Sequence, residues 1–324
     1  MKNLFAILLL AAASSAQTPA DHLPADDAVR IDEFYRLASQ IQDQIWPNWS
    51  KTAAPLLLVT SGTEFLTHHA NPPGDFKDLG DGVYARPRQF PTGLQATFPA
   101  FGPPSVIVIG EPQNTDSKSS TPWLIILMHE HFHQLQDGQP RYVKAIDDLR
   151  LARGDTTGMW MLNYPFPYEK REIAQSFAGL RDLLLDTVHE TNPAKFARLA
   201  KRYQQERKRF FALLSPDDRK YFSFQLWKEG IARYTQIKAA EAAAQYQPTA
   251  RYAALADFEP FSTWAAKART QTLDELRHVD LSKSKRLVVY SFGATEGLLL
   301  DRLNPKWKDK YFDHLASMDS FFGE

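Results

Sequence analysis

Apolar positions recur three and four apart in DDAVRIDEFYRLASQIQDQIW (26–46), where Phe34, Leu37, Ile41 and Ile45 share one stripe. That spacing predicts a helix, with Asp26 or Asp27 as its cap and Pro47 as its stop. The pattern then changes. APLLLVTSG (54–62) and SVIVIGEP (105–112) are short apolar or β-branched runs bounded by proline and glycine, which predicts strands. Between them GVYARPRQFPTGLQATFPAFGPP (82–104) is dense in proline, glycine and aromatics, and reads as short strands and loops of one small sheet. From about 121 onward the spacing is mostly helical. Asn192-Pro193 and Ser215-Pro216 each pair a capping residue with proline at the first helical position, so helices are expected over about 166–190, 193–214 and from 216 on. Asp217 and Asp218 sit at the positive end of the last. No repeat at a fixed period is visible. The expected fold class is α+β: a small mixed sheet in an N-terminal part to about 138, and a mostly helical part over 139–324.

Composition narrows the picture. With 324 residues and 44% apolar content the protein has enough material to bury a large core. Lys plus Arg and Asp plus Glu are 38 each, so no global field favours nucleic acid or an anionic membrane. The basic run KRYQQERKRF (201–210) is interleaved with Glu206 and polar residues and reads as a solvated helix face. At the N-terminus Lys2, the apolar run Leu4 to Ala13 and the small residues Ser14-Ser15-Ala16 follow the pattern of a secretory signal cut after Ala16. The apolar run is too short to span a bilayer. The expected organisation is a signal over 1–16 and a single domain over 17–324, secreted or periplasmic, with no stable membrane insertion. The sequence has no cysteine, which excludes a disulfide framework and a lipid anchor at the cleavage site. Asn48-Trp49-Ser50 is a formal glycosylation sequon, relevant only in a eukaryotic secretory route.

The candidate chemistry lies in TPWLIILMHEHFHQLQDG (121–138). Thr121 is a cap candidate, Pro122 fits the first turn and Asp137-Gly138 is a stop, so a helix is expected over about 122–137. His129 and His133 then project from one face, one turn apart, as two ligands of one ion require. Ile126 and Gln136 continue that stripe. Glu130 lies beside it, in reach of a water at the metal without being a ligand. His131 belongs to another face and is expected to pack or hydrogen-bond. The bland alternative is a buried helix whose histidines are satisfied by backbone or water.

At His129-Glu130-His131-Phe132-His133 the sequence resembles the zincin metallopeptidases, whose pattern is H-E-x-x-H. The resemblance implies a zincin-like fold, Zn²⁺ held by His129 and His133, Glu130 as general base, and a peptide or protein substrate. Three protein ligands would leave a fourth position for water. Gln136 and Gln139 stand where metzincins carry glycine and histidine, and no cysteine is present to serve as ligand. A glutamate from a later helix remains, as in gluzincins. Glu229 in LWKEGIARYTQ is the first candidate, because EGIARY resembles the E-G-x-A-x-Y segment of gluzincin-like families. Gly230 after it suggests close approach of the histidine helix. Glu172 is the alternative. The connection from His133 to Glu229 is longer than in the best-known gluzincins. For the oxyanion donor, Tyr290 and Tyr234 are candidates, with His278 behind them. SVIVIGEP, by analogy with zincin architecture, would present an edge to an extended substrate. Two alternatives stay open: a zinc hydrolase of a non-peptide amide or ester, and a non-catalytic module with a closed or vestigial zinc site.

Overall fold

The computed structural model describes residues 20–323. The signal expected over 1–16 lies outside the described residues. Helix α1 (Ala25–Ile45) begins before the predicted caps. Its N-cap is Pro24, and Asp26 and Asp27 lie inside the first turn, where carboxylates suit the positive helix end. Asp27 is buried and meets Arg30 at 2.7 Å instead of capping.

Six strands follow: β1 (Leu56–Val59), β2 (Thr63–Thr67), β3 (Lys77–Gly80), β4 (Val83–Pro87), β5 (Gln95–Phe98) and β6 (Val106–Gly110). They form one sheet in the order β3-β4-β2-β1-β6-β5. β1 and β6 run parallel at the centre, with Leu57 opposite Val108, and the remaining pairs are antiparallel. Alternate side chains serve two cores. Leu56, Leu58, Phe65, Ile107 and Ile109 join the large helical core. Leu57, Val59, Leu66, Val106 and Val108 pack beneath Phe76, Tyr84, Phe90, Phe98 and Phe101 on the other face. Burial on both faces explains why β1 and β6 read as unbroken apolar runs.

The expectation for SVIVIGEP is corrected by this order: the segment does not form an edge. β6 lies between β1 and β5, because GLQATF returns as a hairpin partner, with Gln95 opposite Ile109 and Phe98 opposite Val106. The edge is β5, whose half-buried residues suit that position.

Helix α2 (Ser120–Asp137) packs on β5, β6 and α1. It starts two residues earlier than expected. Thr121 does not cap it, since its hydroxyl donates to the Glu259 carbonyl at 2.5 Å. The remaining helices are α3 (Tyr142–Asp148), α4 (Trp160–Asn163), α5 (Arg171–His189), α6 (Pro193–Ala212), α7 (Pro216–Gln225), α8 (Ile231–Ala242), α9 (Ala250–Ala253), α10 (Phe261–His278), α11 (Leu281–Ser284) and α12 (Val288–Leu303). Asn192 caps α6 by accepting from the Lys195 N–H at 3.0 Å, and Ser215 caps α7 by accepting from Asp218 at 3.2 Å. The fold is therefore mixed α+β, with the sheet in the N-terminal half and a mostly helical C-terminal half. Among the described residues, no helix is long and apolar enough to cross a membrane.

The helix expected from 216 onward is interrupted. Leu226–Gly230 forms a π turn between α7 and α8. α12 lies along this turn and α8. A Cβ on Gly230 would stand 2.6 Å from the Gly293 Cα, and one on Gly297 would stand 2.7 Å from the Tyr234 ring. Gly230 thus permits close approach of α12, not of the histidine helix. The spacing Gly293-x-x-x-Gly297 on α12 receives Gly230 and Tyr234, the two ends of GIARY.

Candidate metal centre

α2 is buried along nearly its whole length, so its polar side chains must find partners inside the protein. His129, Glu130, His131 and His133 are all buried. The 129/133 face looks toward the π turn. There the Glu229 Oε2 atom lies 3.9 Å from His129 Nε2 and 3.4 Å from His133 Nε2. Ligand atoms about 2.1 Å from one tetrahedral ion stand ~3.4 Å from each other, so the three donors have nearly the spacing of a shared cation. The two imidazole rings meet edge to face at 4.9 Å, and both Nε2 atoms approach the same Glu229 oxygen. This buried group of His129, His133 and Glu229 could hold a metal ion. Two imidazoles and one carboxylate form a donor set suited to a borderline divalent cation.

The supports of this group belong to no motif. Gln136 fixes His133. Its amide nitrogen donates to the carbonyls of Trp227 and Lys228 at 3.0 and 3.2 Å and to the Tyr311 hydroxyl at 2.8 Å. Its Oε1 is therefore the acceptor, 2.7 Å from His133 Nδ1. His133 therefore donates from Nδ1, which leaves Nε2 as the atom turned to the centre. The same glutamine ties α2 to the π turn. Lys228 of that turn also pairs with Asp137 at the end of α2, and the Ser105 hydroxyl holds the other Asp137 oxygen at 2.8 Å. His129 lacks such a support: its Nδ1 is buried and has no hydrogen-bond partner among the described residues. The sequence shows Gln136 only as a continuation of the histidine stripe. A polar residue three positions after a ligand, on that stripe, is the signal that could have found it.

Glu130 stands beside the group. The Thr97 hydroxyl of β5 lies 2.8 Å from its Oε2 and 3.0 Å from its backbone carbonyl. The edge strand thus holds the carboxylate and the helix together. His131 faces elsewhere. Its ring nitrogens lie 2.9 Å from Gln134 and 3.0 Å from Gln42, and its ring stacks on Trp49 at 5.0 Å. Burial pushes its pKa down to about 4, so it is neutral at ordinary pH.

Electrostatics prepares the donors. Burial opposes the charge of Glu229, yet His133, His129 and Arg286 outweigh it and hold the carboxyl well below the usual range. Burial depresses the His129 pKa. An ionised carboxylate and a neutral imidazole are the states in which both can bind a cation. For His133, burial and Lys228 disfavour the cation, but Glu229 outweighs them and raises the pKa.

The remaining candidates separate clearly. Tyr290 is at the centre: its ring stacks 6.3 Å from His129, and its hydroxyl accepts from Arg286 Nη1 at 3.3 Å. Burial raises its pKa, so the phenol keeps its proton. Tyr234 is elsewhere. Its hydroxyl donates to Asp301 at 2.8 Å and its ring packs on Trp46, Trp307 and Gly297. Glu172 is exposed in the first turn of α5, 3.9 Å from Lys170, and does not join the buried group. His278 is exposed, with Nδ1 on the Asp274 carbonyl at 2.8 Å. Arg286 is a residue that sequence reasoning misses. It follows an exposed lysine in a run with no motif, and only the fold brings it 3.7 Å from Glu229 Oε1.

Comparison with protein-family models, with curated proteins and with solved structures found no match to this sequence.

Proposed function

We propose that the protein is a secreted or periplasmic zinc-dependent hydrolase with a zincin-like site, acting on peptides. The observation that carries this reading is the convergence of His129 Nε2, His133 Nε2 and Glu229 Oε2, with the Glu130 carboxylate alongside. A zinc ion held there would act as a Lewis acid and make a water acidic enough to react near neutral pH. Glu130, oriented by Thr97, takes a proton from the attacking water and delivers it to the leaving amine. Tyr290, kept protonated by burial, donates its O–H to the developing oxyanion. Arg286 holds the Tyr290 oxygen in place. Among the described residues β5 pairs only with β6, so its outer edge offers backbone N–H and C=O groups to an extended peptide. A closed, non-catalytic site would need a fourth protein ligand, and His131, the third histidine of α2, is engaged by Gln42 and Gln134 instead.

The test is metal content together with hydrolysis of a peptide library. About one zinc per molecule is expected, lost in His129→Ala and in His133→Ala. Glu130→Gln should keep the zinc and lower turnover by ~10²–10⁴. Full activity in that variant would end the mechanism. A metal-loaded protein that cleaves esters but no peptide would transfer the proposal to the non-peptide alternative.

A further inference from the structure

Arg286 belongs to the candidate metal centre and also to a cleft of about 500 Å³. Its lining includes Leu162, Tyr164, Phe166 and Tyr168 from one segment and Lys285 and Arg286 from another. The side chain of Arg286 is only 20% exposed. Its Nη1 lies 3.3 Å from the Tyr290 hydroxyl, 3.4 Å from Gln225 Oε1 and 3.7 Å from Glu229 Oε1. A guanidinium has five N–H donors in a fork, and it never loses its charge. Every contact just named uses Nη1. Nε and Nη2 have no hydrogen bond among the described residues, and neither is sealed away from solvent. Arg286 lines the cleft, and Nε and Nη2 are the part of its fork left open for a ligand there. The nearby Glu229 carboxylate is committed through its other oxygen to the two imidazoles.

The walls have complementary chemistry. Lys170 and Lys285 stand exposed at the rim, and among the lining residues Glu169 is the acid, paired with Lys285 at 3.5 Å. The lining is therefore positive on balance. It is also apolar. Leu162 and Leu287, the latter next to Arg286 in sequence, are two of three large apolar side chains left exposed among the described residues. Lys285 is held at φ +51°, in the left-handed region, at the wall of the cleft. Strained backbone of this kind gathers at ligand clamps.

We propose that this cleft binds a carboxylate carried on an apolar residue, received by the free Nε and Nη2 edge of Arg286. Resting on the hydrolase reading above, it makes the enzyme selective for peptides with a negative charge close to the cleaved bond. The carboxylate can be a peptide's C-terminus or an Asp or Glu side chain. A bidentate fork fits both, and the apolar walls take the residue that bears it.

Equilibrium binding tests the proposal without requiring catalysis. N-acetyl-Ala-Phe is titrated into the full-length mature protein by calorimetry, in parallel with its C-terminal amide, and N-acetyl-Ala-Glu-amide is compared with its Gln counterpart. At least one acid should bind about tenfold or more tighter than its neutral twin. Preference for the free terminus assigns the carboxylate to a C-terminus; preference for Glu-amide assigns it to a side chain. Arg286→Met should remove the preference, and Arg286→Lys should keep part of it, since charge remains without the fork. The exposed Lys285→Gln is a milder variant and should reduce the preference about threefold. Equal binding of acid and neutral probes to the wild type, or an undiminished preference in Arg286→Met, overturns the proposal. Should Arg286→Met fail to fold, the Arg286→Lys and wild-type comparisons decide in its place. If acids bind selectively but no peptide is cleaved, the cleft stands and the hydrolase reading falls.

Discussion

Two segments meet at the candidate metal centre, and they are built in opposite ways. α2 is a regular helix, and regularity alone puts His129 and His133 on one face. Leu226–Gly230 is a π turn inserted between two regular helices, and it carries Glu229. One extra residue in the turn shifts all that follows by about 100° relative to a continuous α-helix. The candidate histidine pair therefore rests on periodicity, whereas Glu229 reaches it from a local irregularity. Such turns cost hydrogen bonds, and this one is held from both sides. Gln136 and Lys228 fasten it to α2, and Gly230 seats it on Gly293 of α12.

The comparison can be broken most severely at the ligands. Glu229→Ala and His133→Ala should each abolish stoichiometric zinc binding, while Glu172→Ala should leave it unchanged, as measured by metal analysis of purified protein. Retained zinc in Glu229→Ala would mean that the regular helix suffices. Next in size is the glycine seat. Gly293→Ala places a Cβ 2.6 to 3.2 Å from backbone atoms of Gly230 and Leu226 that cannot yield. It should lower stability by about 1–3 kcal/mol and weaken zinc binding as well, because the turn carries the ligand. Thermal melts with and without zinc would separate the two losses. Gln136→Leu removes the acceptor of His133 Nδ1 and should cost ~10–100-fold in zinc affinity, read by competition with a chelator. The smallest effect is expected from Thr97→Val, which leaves the ligands alone. It should retain full zinc and lose roughly tenfold in peptide turnover, as loss of a hydrogen bond to a charged group suggests.

Much of the fold was legible because its signals are local. The stripe Phe34, Leu37, Ile41, Ile45 marks α1, and those four residues are buried. Asn192 and Ser215 cap the helices they were expected to cap. At the N-terminus of α2 the local signal was misleading: Thr121 found a carbonyl from the 259 region, which no neighbouring residue announces. The order of strands was not legible either. β1, β5 and β6 are compatible with several orders, and burial on both faces put β6 inside and left β5 at the edge.

The candidate site divides along the same line. The sequence by itself determined the α2 stripe and the position of Glu130 beside it, because 3.6 residues per turn leave no freedom once the helix is buried. It also put Glu229 ahead of Glu172, on the EGIARY segment, and Tyr290 ahead of Tyr234, but it could not show which elements meet. The tertiary structure shows where each of them lies. It turned Glu229 inward and left Glu172 in solvent; it stacked Tyr290 near His129 and tied Tyr234 to Asp301. It set Gly230 against Gly293 and brought Arg286 to the far oxygen of Glu229. Periodicity governs which side of an element a residue occupies. Which elements face one another across a long stretch of sequence depends on how their surfaces pack, and that is settled only when the whole core closes.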